Sequence, residues 1–256
     1  MKSPVFFLGH GSPMNAVAEN AWTQAVRRAG EGLEKPEALV VISAHWLTEG
    51  VQIHASAWPK TIHDFRGFPD ELYRLRYPAP GSDKWAREVQ ALLPDSQVTD
   101  DWGFDHGVWG VLSFLRPLAD VPVVPISLNV HSKSEDFLKM GERLRPLRDR
   151  NVWIVTSGNL IHNLHEIDFR NPEARAPWAE DFDRSVEKLV ESGDRTSLVS
   201  WPERDRKGFL QAHPTSEHWA PFLVALGAAD EIEKVRWIHR EIQNGTISMR
   251  SALWPE

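Results

Sequence analysis

The chain has 256 residues, 41% of them hydrophobic and 25% charged, a composition suited to one large folded domain or two small ones. A net charge of −7 leaves no basic footprint for nucleic acid, and the absence of cysteine excludes disulfides, thiolate metal sites and cysteine nucleophiles, so any transition metal must be held by His, Asp or Glu. No apolar run approaches membrane-spanning length, and the N-terminal one is too short for a signal peptide, so a cytoplasmic protein without membrane or nucleic-acid partners is expected.

Residues 4–9 (PVFFLG) predict a buried strand stopped by the turn HGSP, with His10 immediately beyond it. Residues 19–33 predict a helix with Ala21, Trp22, Ala25 and Val26 on one face. Glu37–Ala44 predicts a second buried strand that ends in SAHW and delivers His45. Val51–Ser56 predicts a half-exposed strand in which Val51, Ile53 and Ala55 share a face. The stretch WPKTIHDFRGFPDELYRLRYPAPGS is a long loop with one short helical piece, and such loops in compact domains commonly act as lids or binding loops. His63, Asp64 and Phe65 at its centre, followed by Arg66, are candidate substrate contacts; a plain surface loop around one buried aromatic fits the same pattern.

Ser82–Leu93 predicts an amphipathic helix with Ser82 as N-cap. DWGFDHG then feeds an apolar helix, Val108–Leu115, placing His106 near its N-terminus, where the helix dipole disfavours added positive charge. Val121–Leu128 predicts another buried strand, and Glu135–Leu147 a helix with Phe137, Leu138, Met140 and Leu144 as its apolar face. Val152–Thr156 predicts a further buried strand running into Ser157 and Gly158 and delivering His162. A crossover helix between strands of one sheet argues for parallel pairing. Trp178–Ser192 predicts an amphipathic helix, 200–212 reads as irregular, and Pro214 and Thr215 open a helix with Glu217 and His218 in its first turn. Lys234–His239 and Thr246–Leu253 read as two closing strands. With no repeat or linker, residues 1–256 read as a single α/β domain with a mostly parallel central sheet flanked by helices.

In open α/β sheets the ligand crevice lies outside the carboxyl ends of the strands. His10, His45 and His162 each follow such an end, which points to a metal site at the C-terminal edge of the strands, with Glu217 or His218 entering beside it. His54, His131, His165 and His239 lack this placement and read as structural or surface residues, and the twelve tryptophans read as core and pocket walls. Iron(II) oxygenases commonly use two histidines and a carboxylate, and zinc accepts three or four N/O ligands, so the pattern specifies a metal site without choosing the metal. A metal-dependent hydrolase with Glu217 or His162 as base, or a non-catalytic metal- or partner-binding protein, fits the same ligands.

FLGHGSP (7–13), SAHW (43–46), TIHDFRGFP (61–69), YPAPG (77–81), WGFDHGVWG (102–110), SGNLIHNL (157–164) and HPTSEHWAPFL (213–223) occur in this order along nearly the whole chain. Together they resemble the class III extradiol ring-cleavage dioxygenases, nearest the 4,5-DOPA extradiol dioxygenase-like subgroup. The resemblance implies a catechol and O2 as substrates, Fe(II) for activity, and Zn(II) as a metal found in preparations. It implies His10 and His45 as metal ligands, and His218, with Glu217 as the alternative, as a further one. It implies His162 as an acid/base beside the metal that approaches it directly in zinc-loaded members, and His106 as a hydrogen-bond donor to substrate. No pattern speaks to oligomeric state.

Overall fold

The computed structural model describes residues 2–254. β1 (Val5–Gly9) is followed by Gly11, whose φ of +56° turns the chain directly after His10. α1 (Ala21–Gly30) is opened by a reciprocal cap between Asn20 and Thr23. β2 (Ala38–Thr48) and the short β3 (Gln52–His54) follow. The long loop carries only β4 (Lys60–Thr61) and α2 (Asp70–Arg74). α3 (Asp83–Leu92) starts at Ser82, whose hydroxyl accepts from Trp85 N. β5 (Gln97–Thr99) and β6 (Gly103–Phe104) lead into α4 (His106–Leu115), which Asp105 caps by accepting from Val108 N. β7 (Val123–Asn129), α5 (Ser134–Leu144), β8 (Val152–Gly158) and α6 (Pro177–Ser192) come next. The C-terminal part holds α7 (Arg195–Val199), α8 (Trp201–Arg204), α9 (Arg206–Ala212), α10 (Ala220–Ala228), β9 (Arg236–His239), β10 (Ile242–Gln243), β11 (Ile247–Ser248) and β12 (Ser251–Trp254).

Eight strands form one sheet in the order β5-β3-β7-β2-β8-β1-β12-β9. Its centre, β7-β2-β8-β1, is parallel throughout, and β12, β9 and β3 pair antiparallel toward the edges. The period of two along each strand sorts side chains into two core layers. Val40, Ile42, Val152 and Ile154 pack with α3, α5, α6 and α10 on one face. Leu39, Val41, Trp153 and Val155 pack with α1 and α4 on the other. Cover on both faces explains why these strands read as continuous apolar runs. Among the described residues no helix is long and apolar enough to cross a membrane.

Four stretches differ from the sequence-based expectation. β2 does not stop at Ala44 but runs to Thr48, and its pairing with β7 slips between Ile42 and Leu47, so His45 sits in an irregular stretch of the strand itself. Such irregularities re-aim side chains and are common beside active sites. Residues 200–212 are mostly helical: α8 and α9 are too short to show a 3.6-residue period, and α9 is capped by Asp205 accepting from Gly208 N. Pro214 and Thr215 do not open an α-helix; a single 3-10 turn, Ser216–His218, precedes α10, whose first turn takes Pro221 because that position needs no N–H. The stretch Thr246–Leu253 is divided, β11 pairing with β10 and β12 with β1 and β9. The Asp183 carboxylate on α6 accepts from Ser248 Oγ (2.7 Å) and Arg250 Nε (2.8 Å), which fixes β11 at the carboxyl edge of the sheet.

Gly158 closes β8 where a Cβ would lie 2.4 Å from the His218 carbonyl oxygen. Gly158→Ala is therefore expected to destabilise the fold by about 1–3 kcal/mol through overpacking, measured as a lower melting temperature. An unchanged melting temperature would mean that the close approach of β8 to the 216–218 turn is not a constraint.

Candidate metal centre

The parallel strands bring His10, one residue past β1, His45, in the irregular last part of β2, and His162, four residues past β8, to the same edge of the sheet. The 3-10 turn adds His218 and the start of α4 adds His106. The His10, His45 and His218 rings form a nearly equilateral triangle, with centres 5.0, 5.1 and 5.2 Å apart. His10 Nε2 and His45 Nε2 face each other at 3.0 Å. Imidazoles sharing one ion at ~2.1 Å from nitrogen have ring centres roughly 5 Å apart, and two nitrogens at right angles on it lie roughly 3 Å apart. Two donor groups therefore meet here: the ligand atoms of His10, His45 and His106 lie within 4.8 Å of one another, as do those of His162, Glu217 and His218, and the ring spacing of His10, His45 and His218 fits a first-row divalent metal between the two groups.

The outer nitrogens of His10 and His218 are hydrogen-bonded to a partner and that of His45 faces a carboxylate, the arrangement that fixes tautomer and orientation at metal sites. His10 Nδ1 lies 2.9 Å from Ser157 Oγ at the end of β8. His218 Nδ1 donates to Asn159 Oδ1 (3.2 Å), and the Asn159 amide is itself oriented by Nδ2 donating to Ser248 O (2.8 Å). Asp64, from the long loop, lies below two rings at once. Its Oδ2 accepts from His106 Nδ1 (2.8 Å) and lies 3.4 Å from His45 Nδ1, while its Oδ1 accepts from the His106 backbone N–H (2.9 Å). The Asp64 backbone is open to solvent, but its side chain is only 15% exposed.

Electrostatics keeps the rings neutral. Burial, then the neighbouring imidazoles His45, His106 and His162, hold His10 well below its ordinary pKa. Burial and His106 do the same to His45 against the opposing pull of Asp64, and burial followed by His162 lowers His218. Burial, then His106, lowers His162 to about 4. Burial alone would raise the Asp64 carboxyl, but hydrogen bonds from the His106 ring and backbone and its attraction to the His106 and His45 rings bring it down to about 2. At neutral pH His10, His45, His162 and His218 thus present neutral imidazoles beside one ionised carboxylate. That is the state in which histidine binds a metal.

His162 stacks on His218 with centres 3.5 Å apart and planes 9° from parallel. Lone pairs lie in the ring plane, so an ion ~2.1 Å from one nitrogen in its plane is well outside the plane of the other. In this arrangement His218 and His162 do not both point at one ion. Glu217 comes within ligand reach of His162 and His218, but Oε1 accepts from Thr215 Oγ1 (2.9 Å) and the side chain lines a separate groove with Leu47 and Leu210.

A cavity of about 290 Å³ opens in front of the cluster. His10, His45, His106, His162 and Phe65 line it; His63 and Asp64 do not. His63 instead packs against Phe65, Tyr73 and Trp109 and reaches the carbonyl of Leu75. His54, His131, His165 and His239 join neither group of metal-binding geometry among the described residues. Ser157 and Asn159, which hydrogen-bond the histidines, and the cavity walls Leu164, Phe169, Gln243 and Asn244 surround the site without having been singled out by sequence reasoning. For Ser157, Asn159 and Leu164 the signal was available, since all three lie inside SGNLIHNL at a strand end. Phe169 and Asn244 lie in connecting segments and Gln243 in the two-residue β10, where no periodicity can show.

The family model described as the catalytic LigB subunit of aromatic ring-opening dioxygenase matches residues 4–253. The chain is 41% identical to a 4,5-DOPA dioxygenase extradiol of Escherichia coli (strain K12), over 98% of this chain and 94% of that protein. It is 35% identical to a 4,5-DOPA dioxygenase extradiol of Beta vulgaris, over 96% and 94%. A crystal structure of an uncharacterized protein from Escherichia coli K12 superposes with a TM-score of 0.85 at 35% identity, covering 98% of this chain and 99% of that one.

Proposed function

Because the chain belongs to the LigB family of aromatic ring-opening dioxygenases, we propose that it cleaves the ring of a catechol with O2 at a divalent iron held by His10, His45 and His218. The observation that supports this reading is the triangle of three neutral imidazoles, two of which, His10 and His45, line a cavity of about 290 Å³ with His218 buried behind them. Bound there, iron would supply Lewis acidity toward the catechol oxygens and a path for electron density from ring to dioxygen. Zinc, which has no redox chemistry, would fill the same ligands without supporting turnover.

The remaining work falls to side chains. His162 is neutral at physiological pH and lines the cavity, so it accepts the proton of a catechol hydroxyl acidified beside the metal and returns it as the ring opens. With Nδ1 committed to Asp64, His106 has Nε2 left to face the substrate oxygens. Asp64 acts through both His106 and His45 as a positioning carboxylate. The ring of Phe65 stands edge-on to His106 (centres 5.8 Å, 82°) and forms the first apolar wall beside the reacting oxygens.

Anaerobic loading with Fe(II), followed by air and a panel of simple catechols, tests the function. Oxygen consumption matched to catechol loss, with a new visible absorbance, is expected; no uptake by iron-loaded protein would contradict it. Asp64→Asn removes the charge beneath His45 and His106 and is expected to weaken metal binding by about 10–100-fold. Wild-type affinity in that variant would remove Asp64 from the account.

A further inference from the structure

Among the described residues no charged side chain, Lys, Arg, Asp or Glu, lines the cavity in front of the histidines; the Asp64 carboxylate lies outside it, against the His45 and His106 rings. Phe65, Phe68, Ile167 and Ile247 form its walls, and Ser12, Gln243 and Asn244 contribute only neutral polar groups. At the mouth, Leu164 and Phe169 stay 56% and 78% exposed, on the connection between β8 and α6. Large apolar side chains left in water around an opening mark a surface that meets a ligand. The lack of charge is local, for elsewhere the protein matches its buried charges, as with Arg148 and Glu233 or Arg250 and Asp183.

We propose that the substituent this cavity accepts beside the catechol ring is uncharged and largely apolar, an alkyl, aryl, ester or amide group, and not the zwitterionic side chain of an amino acid. An ammonium or carboxylate entering between these walls loses water and meets no opposite charge. The side-chain amide of Gln243 satisfies one neutral polar group at most a few bonds from the ring, that of Asn244 already donating to Asp168 O (2.9 Å), and the remaining walls reward apolar area. The volume, about 290 Å³, leaves room for a substituent as well as the ring. The inference rests on the ring-cleavage reading for the catechol half of the ligand, and on the cavity walls alone for the other half.

The test uses catechols bearing methyl, ethyl, propyl and butyl groups, the neutral amide of dihydrocaffeic acid, and the charged compounds L-DOPA, dopamine and dihydrocaffeate. Oxygen uptake by iron-loaded protein and calorimetric binding to zinc-loaded protein are measured in parallel. Affinity is expected to rise by up to about fourfold per added methylene, and each charged compound to bind at least about tenfold more weakly than its neutral counterpart. Gln243→Arg is expected to improve dihydrocaffeate selectively. Equal or tighter binding of L-DOPA relative to the alkylcatechols, or no gain along the alkyl series, overturns the inference. Neutral selectivity in calorimetry without oxygen uptake from any compound supports the inference and overturns ring cleavage instead, so the two failures are distinguishable.

Discussion

His162→Ala is expected to lower turnover by ~10²–10⁴-fold, the usual contribution of a positioned acid/base, while metal content stays at the wild-type level. The basis is its position rather than its identity as a histidine. Its ring lies flat against His218 at 3.5 Å and lines the cavity, so it meets a bound substrate without sharing the plane of the His218 ring. Burial holds it neutral, with a pKa of about 4, so it is a proton acceptor across the physiological range. Paired measurement of metal stoichiometry and steady-state oxygen uptake separates the roles. Loss of metal together with activity would make His162 a ligand, and full activity would remove it from the chemistry.

The second large effect contrasts two adjacent residues. His218→Ala is expected to weaken metal binding by more than the roughly 10–100-fold that loss of a second-sphere partner costs, and Glu217→Gln to leave stoichiometry unchanged. His218 is buried, closes the triangle with His10 and His45, and has its Nδ1 engaged by Asn159. Glu217 has the charge expected of a two-histidine, one-carboxylate site, but its carboxylate is taken by Thr215 and borders a different groove. Elemental analysis of both variants after dialysis decides between them. Metal retained in His218→Ala and lost in Glu217→Gln would reverse the assignment.

Much of this centre was legible in the sequence because it rests on strong local signals. PVFFLG and VWIVTSG are apolar runs that only a strand covered on both faces explains, and a parallel sheet puts their ends at one edge. Hence His10, His45 and His162 could be grouped before any coordinates. What escaped was set by tertiary contact. Asp64 reads in the sequence only as a candidate substrate contact, because it lies in a loop without periodicity and its position against His45 and His106 is set by tertiary contact. The irregular pairing of β2 carries no sequence mark, so the strand appeared to stop before His45. The helices of 200–212 were missed because four- and seven-residue helices show no amphipathic repeat. The choice between Glu217 and His218 turns on a 3-10 turn where an α-helix was expected, which rotates which of two neighbouring side chains faces the histidines.

The most direct test of ring cleavage is a single-turnover reaction of iron-loaded protein with an alkylcatechol under dioxygen labelled with heavy oxygen, followed by mass spectrometry of the product. Incorporation of both labelled atoms into one ring-opened product is the expected result. A product carrying one labelled atom or none, or an intact ring oxidised to the quinone, would contradict it.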